Sequence, residues 1–181
     1  ALGGQPLPGG ELPIDDPRAL NDSLQLVGRG YSGTQVGVPP PWNEAVLLSS
    51  GQATIVQPIG GQAGTATVIN SAGVVAGHYQ VATDGPVHLF RYDENGMTTD
   101  LGTSATGGTP VPLGINAAGT IVGVLELPES AAGERLSFRV RGGGSALEVL
   151  PDLGGSWSLA SDVNDLEQVV GTSSLPGAPD T

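Results

Sequence analysis

Few residues in this chain are equipped to do chemistry. Two histidines, His78 and His88, are the candidates for a general base or a metal pair, and no cysteine is available as nucleophile or thiolate ligand. His78 directly follows a glycine that ends an apolar run, and His88 opens another run. To act together they must meet across a unit of structure; the plainer reading is two satisfied or surface imidazoles. No G-x-S-x-G elbow presents a serine, and "GGSWSLASD" from Gly154 reads as a glycine pair followed by a polar strand. Asp93, Glu94, Asp100, Asp152 and Asp162 contain the carboxylates for glycoside cleavage, but no spacing selects two of them. Hard oxygen ligands for Ca²⁺ stand in turns at Asp93, Asn95 and Asp165, without EF-hand spacing and with solvated hairpin turns as the alternative. Trp42 and Trp157 sit in loop-like contexts, where an indole stacks on a sugar ring or packs over a strand edge.

The elements that must position these groups are read from a recurrence. "LNDSLQLVG" from Leu20, "INSAGVVAG" from Ile69, "INAAGTIVG" from Ile115 and "VNDLEQVVG" from Val163 align on Asn21, Asn70, Asn116 and Asn164, at spacings of 49, 46 and 48. Gly28, Gly77, Gly123 and Gly171 each lie seven residues after their asparagine. An asparagine opening a type I turn accepts a hydrogen bond from the backbone two residues on, and glycine is favoured at the fourth position, as at Gly73 and Gly119. Leu24 and Glu167 stand at that place in the outer copies. The reading is that left-handed backbone is not obligatory there, or that the outer turns differ in type. The apolar, mostly β-branched pair and the glycine that follow each turn are strand chemistry.

A second set alternates apolar and polar residues: "EAVLLSSG" from Glu44, "VHLFRYDENG" from Val87 and "LSFRVRGGG" from Leu136. A third, "ATIVQPIGG", "MTTDLGTSATGG" and "LEVLPDLGG", ends in glycine pairs, and a fourth such as "GTATVI" from Gly64 returns to the asparagine. Four short strands in just under fifty residues is the size of a propeller blade. The fold class is therefore all-β, with repeated four-stranded blade-like units of 46 to 49 residues, propeller-like, either incomplete or completed by another chain. As units these run 21–69, 70–115 and 116–163, flanked by partial units 1–20 and 164–181. The helix-like "PESAAGER" from Pro128 is short, carries a glycine and reads as a loop. The proline-rich "QPLPGGELPIDDP" and "QVGVPPPW" read as insertions or linkers that cannot join a central strand.

These motifs resemble the probable extracellular repeats of the HAF family, whose units follow IN-x-x-G-x-VVG, a His-Ala-Phe strand and DLG-x-LGG. The first motif is matched from Ile69 and from Ile115, "HLF" from His88 is similar to the His-Ala-Phe signature, and "DLG" stands from Asp100 and from Asp152. At the signature position the first unit reads "EAVLL" and the third "LSFRV", so the histidine is not kept. The resemblance implies a secreted or surface-attached repeat protein and no catalytic residues.

Composition bounds the partners. A net charge of −12, with six arginines and no lysine, repels phosphate backbones and anionic lipid, so neither nucleic acid nor adhesion to an anionic membrane is expected. No apolar run approaches the ~20 residues of a spanning helix, so no membrane insertion is expected. With 4% aromatics, the core is expected to be built from Val, Ile, Leu and Ala. The chain opens inside a unit at "ALGG" and stops after "VVGTSSLPGAPDT", which reads as a processed product or a fragment of a longer array. The functional expectation is a non-catalytic, extracellular or cell-surface structural and interaction module for assembly or adhesion. Its expected partners are further copies of itself, matrix components or a glycan, with Ca²⁺ the one cofactor left open. A carbohydrate-binding module and a propeller-type secreted hydrolase or lyase are the alternatives.

Overall fold

The computed structural model describes residues 14–31, 43–58, 60–127 and 134–177, in which every regular element is a strand. Trp42, the proline-rich run before it and most of "PESAAGER" lie outside the described residues. The first sheet is β1 (Asp16–Leu20), β2 (Leu26–Tyr31), β3 (Asn43–Ser49) and β4 (Gln52–Ile55). The second is β5 (Gln62–Ile69), β6 (Val75–Gln80), β7 (Val87–Tyr92) and β8 (Thr98–Gly102). The third is β9 (Thr109–Ile115), β10 (Ile121–Glu126), β11 (Arg135–Val140) and β12 (Leu147–Val149), and the fourth, among the described residues, holds β13 (Ser158–Val163) and β14 (Val169–Ser173). Within each sheet the strands pair antiparallel in chain order. Each asparagine turn thus lies inside a sheet, joining its first strand to its second, so the sheets are offset from the asparagine-to-asparagine units. Pro17, at the end of one proline-rich run, enters edge strand β1 at a bulge, where no ladder donor is needed.

All four turns share one geometry. The residue three after each asparagine donates its N–H to the asparagine carbonyl, at 3.0 to 3.1 Å. That residue has positive φ in every copy: 56° at Leu24, 84° at Gly73, 78° at Gly119 and 62° at Glu167. The left-handed position is therefore common to all four, contrary to the reading from residue type, because the hairpin closes with a bulge that fixes it. Leu24 is 77% exposed. A left-handed non-glycine costs about 1–2 kcal/mol and glycine's extra entropy about 0.5–1 kcal/mol, so Leu24→Gly is expected to stabilise the chain by up to about 1 kcal/mol. In Glu167→Gly the sign reverses, because Oε1 accepts from Asn116 Nδ2 at 2.9 Å and Thr120 Oγ1 at 2.7 Å. Urea unfolding of the two variants checks the contrast; equal shifts would discount the Glu167 contacts.

Packing between sheets follows the alternation of strands. Where two sheets adjoin, the residue five after the asparagine (Val75, Ile121, Val169) turns to the preceding sheet and the residue six after it (Val27, Ala76, Val122) turns to the next. Val27 thus packs with Val75 and Phe90 between sheets one and two, and Ala76 packs with Ile121 and Phe138 between sheets two and three. Val122 packs with Ala160 and Val163 between sheets three and four, with Val169 against them. Phe90 and Phe138 are fully buried, as is most of Tyr79, so the largest core side chains are aromatic and not only the small aliphatic ones expected from composition. Among the described residues Tyr79, Phe90, Tyr92 and Phe138 stand where two sheets meet.

Candidate interaction surface

The asparagine side chains join the sheets to one another. In the first, second and fourth turns Oδ1 accepts the N–H two residues on, from Ser23, Ala72 and Leu166, as the turn chemistry predicts. The amide nitrogen does what the spacing alone did not reveal. Asn21 Nδ2 donates to the Asn70 carbonyl at 3.0 Å, Asn70 Nδ2 to the Asn116 carbonyl at 2.9 Å, and Asn116 Nδ2 to the Asn164 carbonyl at 3.0 Å. Asn21, Asn70 and Asn116 are buried, whereas Asn164 is exposed and turns its amide onto Gln168 Oε1 of its own turn. The ladder has a direction, and Asn164 is its open end.

Residues 20–22, 69–71, 115–117 and 162–165 converge around a cavity of about 460 Å³. Asp22, Asp162 and Asp165 bring carboxylates to its wall. Two of these serve the backbone: Asp162 Oδ1 accepts from Val163 N–H and Asp165 Oδ1 from Ala117 N–H, each at 2.8 Å. The latter contact ties turn four to turn three beside the asparagine ladder. Asp93 closes the β7 to β8 turn in the same manner, its Oδ1 accepting from Asn95 and Met97 N–H at 2.9 Å. The Ca²⁺ candidates Asp93 and Asn95 therefore share one hairpin, while Asp165 belongs to a different sheet's turn. Among the described residues no three His, Cys, Asp or Glu side chains cluster as a metal site.

The histidines stand on adjacent strands but face opposite sides of the second sheet, since His78 lies across from Leu89 and His88 across from Tyr79. They do not form a pair. Asp100, on β8, bonds His88 Nδ1 at 3.0 Å; an ionised carboxylate only accepts, so Nδ1 carries the proton. Burial pushes the Asp100 carboxyl up, but bonds from Gly102 N–H, His88 and Tyr79 outweigh it and hold the carboxyl below its usual range. Burial and the bond to Asp100 raise the Tyr79 hydroxyl to about 12. Tyr79, His88 and Asp100 thus clasp β6, β7 and β8 together. Asp152 accepts from Gly154 N–H within its own turn. Trp157 is half-buried, and its backbone N–H bonds Ser174 Oγ, so it packs at the start of β13 and does not line the cavity.

His78 has a consequence for stability. Burial first, and the charge of Arg18 second, lower its pKa from 6.5 to about 4, and its buried Nδ1 makes no hydrogen bond. Between those values the unfolded chain binds a proton that the folded chain refuses, so stability falls as pH falls through this window. The expected loss approaches about 3 kcal/mol. His78→Gln should remove the slope: urea midpoints of wild type and variant, compared at neutral pH and near pH 4, should diverge as acid is added. Parallel pH profiles would sink this assignment.

The fourth sheet differs from the others in exposure. Val27, Ala76 and Val122, each six residues after their asparagine, are 0% exposed; Val170, at the same offset, is 61% exposed. At the other end of the chain Leu20 is 60% exposed, although its counterparts Ile69, Ile115 and Val163 pack toward a preceding sheet. One end shows a surface of the kind that faces a following sheet, and the other a surface of the kind that faces a preceding one. The chain matches no family model, no curated protein and no solved structure.

Proposed function

We propose that this chain is a non-catalytic β-repeat module of a secreted or cell-surface protein, propeller-like in the arrangement of its blade-like sheets, which joins to further copies through its ends. The observation that carries this reading is Val170. Its equivalents are buried by the next sheet in three cases, which supports reading the exposed fourth as a joint. Asn164, at the end of the amide ladder, supplies a polar complement to the same joint, since its amide at that end would meet a carbonyl like that of Asn21. The motifs similar to the HAF family support the extracellular placement.

In such a head-to-tail contact two different surfaces meet, so copies can add until a ring closes or a filament forms. Sedimentation over a range of protein concentrations is expected to show reversible association of wild type. In Val170→Asp, which places a charge where the next apolar face would lie, association should be lost while the circular dichroism stays unchanged. A wild-type chain that remains monomeric at the highest soluble concentration would overturn the self-assembly reading.

A further inference from the structure

Gly77 lies opposite Phe90, and Gly123 opposite Phe138, between the second and third strands of their sheets. A Cβ on Gly77 would stand 2.7 Å from the Phe90 ring, and one on Gly123 2.9 Å from the Phe138 ring, so each ring lies directly on its glycine. In the first sheet Val46 stands opposite Gly28, and Ile14 covers that glycine. Backbone crowding requires glycine at all four places. A Cβ would come within 2.3 Å of the Asp16, Thr65, Val111 or Leu159 carbonyl oxygen. What distinguishes the fourth place is the cover. Gly171 is exposed, and the atoms nearest to a Cβ there belong only to the backbone of β13.

The edge of β14 away from β13 carries no partner strand among the described residues. In the other three sheets the equivalent edge of β2, β6 or β10 pairs antiparallel with a third strand in one register, with an apolar residue opposite the glycine. We infer that the edge of β14 left open among the described residues binds an extended partner strand of the β7 kind, antiparallel, with alternating apolar residues and a phenylalanine opposite Gly171. Main-chain hydrogen bonds supply affinity, and the ring on the glycine supplies register. A slip of one residue turns the ring to the other face of the sheet, away from the seat. This inference deepens the interaction reading above and rests on it for the premise that the fourth sheet is a joint.

A synthetic hairpin of residues 85–103, titrated into the isotope-labelled chain and followed by amide spectra, tests it. The expected result is saturable binding, with shifts centred on Val169, Val170, Gly171, Thr172 and Ser173. The same peptide with Phe90→Ala should bind at least about tenfold more weakly, because the ring is what fills the seat. No saturable binding, shifts centred elsewhere, or equal affinity of the two peptides would overturn the inference. A chain that is monomeric yet binds the hairpin would refute self-assembly and leave the strand site standing. A chain that self-associates yet ignores the hairpin would do the opposite.

Discussion

Asn70→Ala is expected to destabilise the chain by about 3–5 kcal/mol, among the larger effects of a polar-to-alanine change. The side chain holds two backbone donors of its own turn, Ala72 N–H at 3.0 Å and Val74 N–H at 2.9 Å, and donates to the Asn116 carbonyl of the next sheet. Truncation removes these bonds, and a longer one of 3.4 Å from Nδ2 to the Ala117 carbonyl, at a buried site where solvent does not replace them freely. Asn70→Asp keeps the acceptor for the turn but aims a carboxylate at a carbonyl, so it should cost nearly as much. Asn164→Ala is the control. It loses the same turn contacts at an exposed site and no bond to a following sheet, for about 1 kcal/mol. Chemical unfolding of the three variants measures the ordering. Equal costs for Asn70→Ala and Asn164→Ala would show that the inter-sheet bonds contribute nothing, and would remove the ladder as an account of how the sheets hold together.

Phe90→Ala is expected to cost about 3–5 kcal/mol, the range for truncation of a buried ring. Phe90 is fully buried where sheets one and two meet, and its ring stands edge-on to Tyr79 with centroids 6.2 Å apart. The site cannot collapse easily, because the residue beneath the ring is Gly77 and has no side chain to move into the space. Met97→Ala supplies the contrast: at 63% exposure on a hairpin it should shift stability by no more than about 0.5 kcal/mol. Thermal melts of both variants decide the matter. A Phe90→Ala chain that melts with wild type would mean that the ring does not bind the first two sheets together.

The strands themselves were legible in the residues. Alternating runs such as "VHLFRY" and the asparagine turns located the elements because period-two burial and turn hydrogen bonding are local properties, encoded within a few residues. The left-handed backbone at Leu24 and Glu167 was not legible, since residue type argues against it. Hairpin closure imposes it, and at Glu167 the carboxylate's bonds to Asn116 and Thr120 offset the strain. The histidines illustrate the same limit. Their sequence positions allow a pair, and only the register of β6 against β7 separates them onto opposite faces.

By itself the sequence determined an all-β chain with an asparagine-led turn at spacings of 46 to 49 residues, because turn and strand preferences depend on neighbours along the chain. Only the tertiary structure decided what those asparagines do between sheets. A side-chain amide reaching a carbonyl 46 residues away depends on how two sheets stack, which no local preference specifies. The same holds for Val170 and Gly171. Each repeats residue types found in earlier copies, and each differs from them in having nothing described packed on the side that a further strand or sheet would cover.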